Sequence, residues 1–329
     1  PGFTDRVRFA DVDGSGTPDL LWGDAGAYRY MDLTGGIRPR VLVGYQNGLG
    51  KQVEIAYTTS AAEMIRDLEA GRNPESVSPH VSQVVSTVTV SDSLGWSGMT
   101  EYSYHDGFFD GCEAEFRGFQ EADVREVGDA TAPTSVRTTR FQVGARPEGL
   151  TCTDENPYEP LKGTTLWTHV RDEGGVYKDT SWSSTLVRRL YAGLDGRSVL
   201  QAYGETSGVR LYDLLGYHGS PTCTDVTIAR FEDGFAADLT ACIPVQATGY
   251  ETVTTAAVRD SLGNQLASAQ YGAAGITGDE VTAVTEPGVI GTWLSVPVSS
   301  WVQAEDIGAT PARKYGFTSR SDSPASAAA

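Results

Sequence analysis

Val253-Thr-Thr-Ala-Ala-Val-Arg-Asp-Ser-Leu-Gly-Asn-Gln-Leu-Ala-Ser-Ala-Gln-Tyr-Gly272 reads as two extended segments around one tight turn. Small and β-branched residues fill the flanks. Between them, Asp260-Ser-Leu-Gly-Asn264 supplies a carboxylate that can bond its own backbone and a glycine that tolerates positive φ. Related turns recur at Asp92-Ser-Leu-Gly95 and Asp195-Gly196, again between strand-like runs. Alternating segments such as Gln52-Val-Glu-Ile-Ala-Tyr57, Val84-Val-Ser-Thr-Val-Thr-Val90 and Glu251-Thr-Val-Thr-Thr255 carry the same message. A strand, turn, strand unit used repeatedly builds a long curling antiparallel sheet whose hairpins stand side by side. The fold class is therefore mostly β.

One helix interrupts the pattern. Ser60 and Glu63 have the spacing of a capping box, Ala61 to Ala70 reads AAEMIRDLEA, and Gly71 follows. Met64, Ile65 and Leu68 fall on one face, which predicts that this face packs on a sheet.

Nearer the start, Phe9-Ala-Asp-Val-Asp-Gly-Ser-Gly-Thr-Pro-Asp-Leu-Leu-Trp22 places Asp11, Asp13, Ser15 and Asp19 at positions 1, 3, 5 and 9 of a compact loop. Gly14 and Gly16 supply its bends, and the Thr17 carbonyl is the candidate for position 7. Calcium takes six to eight oxygen ligands, and oxygen-bearing side chains at alternate positions can wrap one ion. Position 12 is Trp22 where an EF-hand has glutamate, so the loop is expected to join two strands and any calcium to be structural. A Gly/Asp-rich hairpin turn without metal is the alternative reading.

The chain has 329 residues, enough for two or three domains. Its 25 basic and 43 acidic side chains give a formal charge of −18, which argues against a nucleic-acid partner or an anionic membrane surface. No apolar run is long enough to span a bilayer as a helix. The opening Pro-Gly-Phe, without an initiator Met or signal-like segment, reads as that of a fragment of a longer polypeptide, and Ser321 to Ala329 as a flexible tail. Cys112, Cys152, Cys223 and Cys242 lack CxxC spacing, which argues against zinc. Nearest-neighbour pairing, Cys112–Cys152 and Cys223–Cys242, suits an exported protein, with free buried thiols as the alternative.

Catalytic motifs are lacking: there is no G-x-S-x-G, H-E-x-x-H or G-x-x-x-x-G-K. His80, His105, His169 and His218 are scattered. His105 with Cys112 resembles a nucleophile–base pair only in spacing. The structural reading makes Glu115 and Arg117 a charged turn and Phe108, Phe109, Phe116 and Phe119 anchors of the sheet. His169 in Trp167-Thr-His-Val170 alternates as a strand residue, packed or at an edge. Asp154 with Glu155 and Asp172 with Glu173 read as solvated turn faces, and the six tryptophans as core anchors.

Several of these segments resemble a known family. The Asp-rich stretch is similar to the calcium turn of integrin-type (FG-GAP) β-propeller repeats. It is followed by Gly44-Tyr-Gln-Asn-Gly-Leu-Gly-Lys-Gln-Val-Glu-Ile-Ala-Tyr-Thr-Thr-Ser60 and by Val90 to Val124, with Tyr104-His-Asp-Gly-Phe-Phe-Asp110 and Glu115-Phe-Arg-Gly-Phe119 as the most specific block. Together these resemble the middle region of the B component of bacterial Tc insecticidal toxin complexes and of related RHS-repeat (YD-repeat) toxin proteins. The resemblance is strong over roughly residues 9–125 and more general from about Trp167 onward, as in Val187 to Val199, Tyr212-Asp213 and Arg313-Lys-Tyr-Gly316.

The resemblance implies that residues 1–33 are the end of a propeller, 34–165 the middle region, 166–320 an RHS-type β-hairpin wall and 321–329 a tail. In that family the sheet spirals into a hollow shell which, with a C component, encloses a toxic effector, while the propeller docks on a translocating A component. The implied function is a non-enzymatic structural segment of a secreted bacterial toxin. Its partners would be the remaining fragments of its parent, a C-component-like RHS chain with enclosed effector, and an A-component-like translocator. The four cysteines, Cys112 inside the most specific block among them, depart from the family. The chain carries neither a full propeller nor the Asp-rich self-cleaving end of RHS cores, so docking and autoproteolysis are not carried over. A calcium-stabilised secreted adhesin or carbohydrate-binding module is the alternative, and a hydrolase on a β scaffold the third reading.

Overall fold

The computed structural model describes residues 7–24, 27–36, 38–74, 76–212, 222–245, 251–260, 263–290, 294–304 and 315–319. The predicted tail, Asp213, His218, Trp293, Arg313 and Lys314 lie outside them, as do Ser261 and Leu262 of the Asp260–Asn264 turn. The chain divides into two compact units: residues 1–145 with 162–164 and 172–174, and residues 146–161, 165–171 and 175–329.

The first unit begins with a separate three-stranded antiparallel sheet of β1 (Val7–Ala10), β2 (Asp19–Asp24) and β3 (Ala27–Met31). Then come β4 (Gly44–Gln46), β5 (Gln52–Thr59), helix α1 (Ser60–Glu69), β6 (Gln83–Ser91), β7 (Ser97–Asp110), β8 (Glu115–Glu126) and β9 (Ser135–Phe141). From β4 to β9 each strand pairs antiparallel with the next. β7 runs for 14 residues and β8 for 12, and both faces of β6 and β8 are half-buried along nearly their whole length.

The second unit contains β10 (Thr165–Asp172), β11 (Tyr177–Ala192), β12 (Ser198–Leu211), β15 (Glu251–Arg259), β16 (Gln265–Ala273), β17 (Val281–Ile290), β18 (Leu294–Gln303) and β19 (Tyr315–Ser319), hydrogen-bonded in that order. Two further strands, β13 (Thr222–Phe231) and β14 (Leu239–Val245), form a hairpin whose β13 runs parallel to β11. That hairpin encloses a core of Leu161, Val187, Ala229 and Phe231, with Tyr158, Leu200, Phe235 and Leu239 packed around it. A 3-10 turn, Glu159–Leu161, carries Leu161 into the core. Burying each such side chain contributes about 1.5–3 kcal/mol.

The expected turns are present. Asp92 Oδ1 accepts from the amides of Leu94 (2.8 Å) and Trp96 (2.9 Å), and Asp260 Oδ1 accepts from Asn264 N at 2.9 Å. Gly95 and Gly263 take positive φ of 97° and 85°, which a side chain would strain. Asn47 closes the β4–β5 hairpin in the same way, accepting from Leu49 and Lys51. Each carboxylate or amide replaces a ladder bond that the reversing chain cannot make.

Four expectations are corrected. The cap of α1 is Thr59, whose Oγ1 accepts from Ala62 N at 3.1 Å, while Ser60 exchanges bonds with Ser82. Glu63 accepts from Tyr104 N at 2.9 Å and closes no box. Of the predicted apolar face only Met64 is half-buried: Ile65 is 52% and Leu68 50% exposed, whereas Ser60, Glu63 and Asp67 are buried. Glu63 and Asp67 find partners on β7 and Ser60 on Ser82, which makes a polar face the better fit. Glu115 and Arg117 belong to strand β8 and not to a turn, with Arg117 fully buried against Asp110 at 2.8 Å. The tryptophans do not share one role, since Trp301 is buried and Trp96 is 54% exposed.

Candidate functional site

The Asp-rich loop joins β1 to β2, as its sequence predicts, and the register Ala10↔Asp19 closes its mouth. Gly14 and Gly16 take φ of 74° and 79°. Asp11 receives Ser15 N on Oδ1 (3.0 Å) and Gly16 N on Oδ2 (2.8 Å), and Asp13 Oδ1 also receives Ser15 N at 3.0 Å. Asp19 Oδ2 accepts from Val12 N at 2.9 Å. These bonds fold the loop inward, so that one carboxylate oxygen from each of Asp11, Asp13 and Asp19 lies within 4.8 Å of the others.

Ser15 and Thr17 are brought together by a 2.8 Å hydroxyl contact, and Thr17 continues to Thr34 at 2.9 Å. Gln83 Nε2 donates to Ser15 O at 2.5 Å, tying the loop to β6. The Ser15 hydroxyl and amide hold the Asp13 carboxyl below the usual carboxylate range.

Asp19 is fully buried, and its Oδ1 has no hydrogen-bond partner. A buried carboxylate oxygen left without a donor is costly, and three convergent carboxylates repel one another. A hard divalent cation answers both problems, so the residues present fit calcium chemistry. Asp11, Asp13 and Asp19 would hold it, with Ser15 and Thr17 beside them.

A second polar cluster joins α1 to the sheet, and no local sequence signal announced it. Asp67, 3% exposed, lies 2.6 Å through Oδ1 from His105 Nδ1 and receives Asp106 N on Oδ2 at 3.0 Å. His105 Nε2 faces Asp123 at 3.8 Å, an ion-pair distance longer than a direct hydrogen bond. Arg72 reaches Glu121 at 2.9 Å, and Arg140 reaches Asp106 at 3.1 Å. Asp123 and Asp67 raise the His105 pKa above its ordinary value, against burial and the Arg72 charge.

The remaining candidates do not converge on a reaction. Cys112 is disulfide-bonded, which removes the thiolate that a pairing with His105 would need. Cys152 and Cys242 are disulfide-bonded too, and among the described residues no cysteine is free. Asp154 caps its own turn by accepting from Thr151 N at 2.7 Å, and Glu155 accepts from Ser198 N at 2.6 Å. Glu173 pairs with Arg125. Phe116 packs edge-on to Phe119 at 5.5 Å, and Phe119 meets Tyr104 at 5.0 Å, the anchoring role expected of them. No helix among the described residues is long and apolar enough to cross a membrane.

Residues 3–143 match the family model of the insecticide toxin TcdB middle/N-terminal region. No curated protein matches the chain. Among solved structures, the crystal structure of TcdB2-TccC3 superposes with a TM-score of 0.64 at 16% identity, covering 92% of this chain and 17% of that one. The Photorhabdus luminescens Tc holotoxin pore gives 0.64 at 16% identity, covering 91% and 16%. TcdB2-TccC3 without its hypervariable C-terminal region gives 0.63 at 17% identity, covering 90% and 16%. The chain thus spans about one sixth of the length of the solved chains it matches. Its first 143 residues carry the signature of the TcdB middle region, and nearly its whole length has the fold of a segment of the Tc toxin assembly.

Proposed function

We propose that this chain is a wall segment of a Tc-type toxin B component: non-enzymatic, exported by a bacterium, and part of a hollow β-shell that encloses a toxic effector. The observation that supports this most is the coincidence of the TcdB middle-region match over residues 3–143 with a likeness of fold covering 92% of the chain. The long strands β6 and β8, half-buried along nearly their whole length, suit a wall. The unpaired outer strands of such a sheet demand neighbours. On this reading they are supplied by the rest of the parent polypeptide and by a C-component-like RHS chain, with an A-component-like translocator as a further partner.

The three-stranded sheet of β1 to β3 would then be the end of an integrin-type propeller, and calcium at Asp11, Asp13, Ser15, Thr17 and Asp19 its structural staple. Bound calcium supplies positive charge that offsets the three carboxylates and links both ends of the loop. An adhesin or carbohydrate-binding role is not favoured by the family match.

Native mass spectrometry of the parent polypeptide, purified with its C-component-like partner, tests the proposal. A single heavy particle releasing a small enclosed protein on denaturation is the expected result. Recovery of the parent without a partner or cargo would refute it.

A further inference from the structure

We propose that α1 is a pH-sensitive latch, fastened to β7 by protonated His105 and loosened when His105 gives up its proton. The helix sets buried carboxylates on its inward face, beside the half-buried Met64. Its apolar Ile65 and Leu68 point away, and two carboxylates one turn apart, Glu63 and Asp67, point inward. A cavity of about 50 Å³, lined by Met64, Asp67, Ser76, His80, Phe116 and Phe119 among others, remains beneath it.

Glu63 and Asp67 grip three consecutive residues of β7: the amide of Tyr104, the ring of His105 and the amide of Asp106. Asp106 has φ of 52°, and the pairing with β8 shifts register between Gly107 and Phe109. The strand is irregular where the helix holds it.

The charges around His105 do not balance without its proton. α1 contributes Glu63 and Asp67, β7 contributes Asp106, and β8 contributes Glu121, directly opposite His105 in the register, and Asp123. Against these five carboxylates stand three guanidiniums, of Arg66, Arg72 and Arg140, leaving two negative charges that protonated His105 reduces to one. His80, on the segment between α1 and β6, lines the same cavity as Asp67 and is the second imidazole there.

The direction follows from linkage. His105 has its pKa raised, so its contribution is fully present below its ordinary value of 6.5 and is lost as pH rises through its value in the folded chain. Neutral His105 keeps one hydrogen bond to Asp67 but gives up the charge that bridges Asp67 and Asp123.

Amide hydrogen exchange over residues 60–69 of the full chain, expressed as protection relative to β7 between about pH 5 and pH 9, is the test, alongside an NMR titration of the His105 ring. Protection of α1 should fall between about pH 6.5 and the His105 pKa of the folded chain, with its midpoint between them, by about tenfold for each pKa unit of elevation. Asp123→Asn should move both midpoints to lower pH together, and His80→Gln should move neither. His105→Gln should leave α1 protection independent of pH. Should that variant fail to fold, the joint shift in Asp123→Asn decides alone. Protection that is flat with pH, or a midpoint indifferent to Asp123→Asn, overturns the latch.

Discussion

The ring of His169 lies 2.9 Å through Nδ1 from the hydroxyl of Thr180, with both side chains buried between strands β10 and β11. Thr180 continues to the Tyr212 hydroxyl at 3.2 Å, which donates to Pro244 O at 2.9 Å. Every hydrogen is placed if the Nδ1–H of neutral His169 donates to Thr180 and Thr180 donates to Tyr212. Trp167 covers the ring at 4.1 Å.

Acid should therefore weaken the second unit. Burial, with a smaller push from the Arg171 charge, lowers the His169 pKa from 6.5 to about 4. The unfolded chain takes up the proton first, so stability falls as pH drops from about 6.5 to about 4, by at most about 3 kcal/mol. Thermal melts across that range should show the loss, and His169→Gln should remove most of the slope. An unchanged slope in the variant would assign the loss to other groups.

Arg117 and Asp110 form a buried ion pair at 2.8 Å, and Arg117 also donates to Gly144 O at 2.8 Å. Breaking one side leaves the other charge stranded. Asp110→Asn and Arg117→Met should each cost about 3–5 kcal/mol by denaturant unfolding, and the double variant less than the sum. Additive losses would mean the two groups act separately.

Calcium should stabilise the Asp-rich loop. At a hundredfold excess over its dissociation constant, a cation bound only by the folded state adds about 2.7 kcal/mol. Melting of the wild-type chain with calcium and with chelator should differ accordingly, and Asp19→Asn should abolish the difference. A wild-type chain indifferent to chelator would make the loop a plain turn.

The hairpin tip at Asp92 separates turn chemistry from surface. Asp92→Ala removes two accepted amide bonds and should cost about 1 kcal/mol. Leu94, 91% exposed, should tolerate Leu94→Asn within about 0.5 kcal/mol. A larger loss at Leu94 would contradict its exposure.

These contrasts show where sequence reading succeeds. The antiparallel sheet was legible because its turns are local: Asp92, Asp195 and Asp260 each bond backbone within four residues of themselves. The Asp-rich loop was legible for the same reason, its convergent carboxylates lying within nine residues. The helix was legible in place, but its buried face was not. Apolar spacing pointed to Met64, Ile65 and Leu68, of which only Met64 is half-buried, whereas the deciding partner of Asp67 is His105, 38 residues away. The Arg72–Glu121 pair, 49 residues apart, was equally invisible. The β13–β14 hairpin escaped notice because its parallel pairing to β11 follows from topology and not from any local pattern.

Electron cryomicroscopy of the full parent protein with its C-component-like partner is the most direct measurement of the wall assignment. The wall assignment predicts that β4 to β9 and β10 to β19 each trace a stretch of shell, one face toward an internal cavity holding density for a small protein. A particle in which these strands lie outside any enclosure, or in which no enclosure forms, would contradict it.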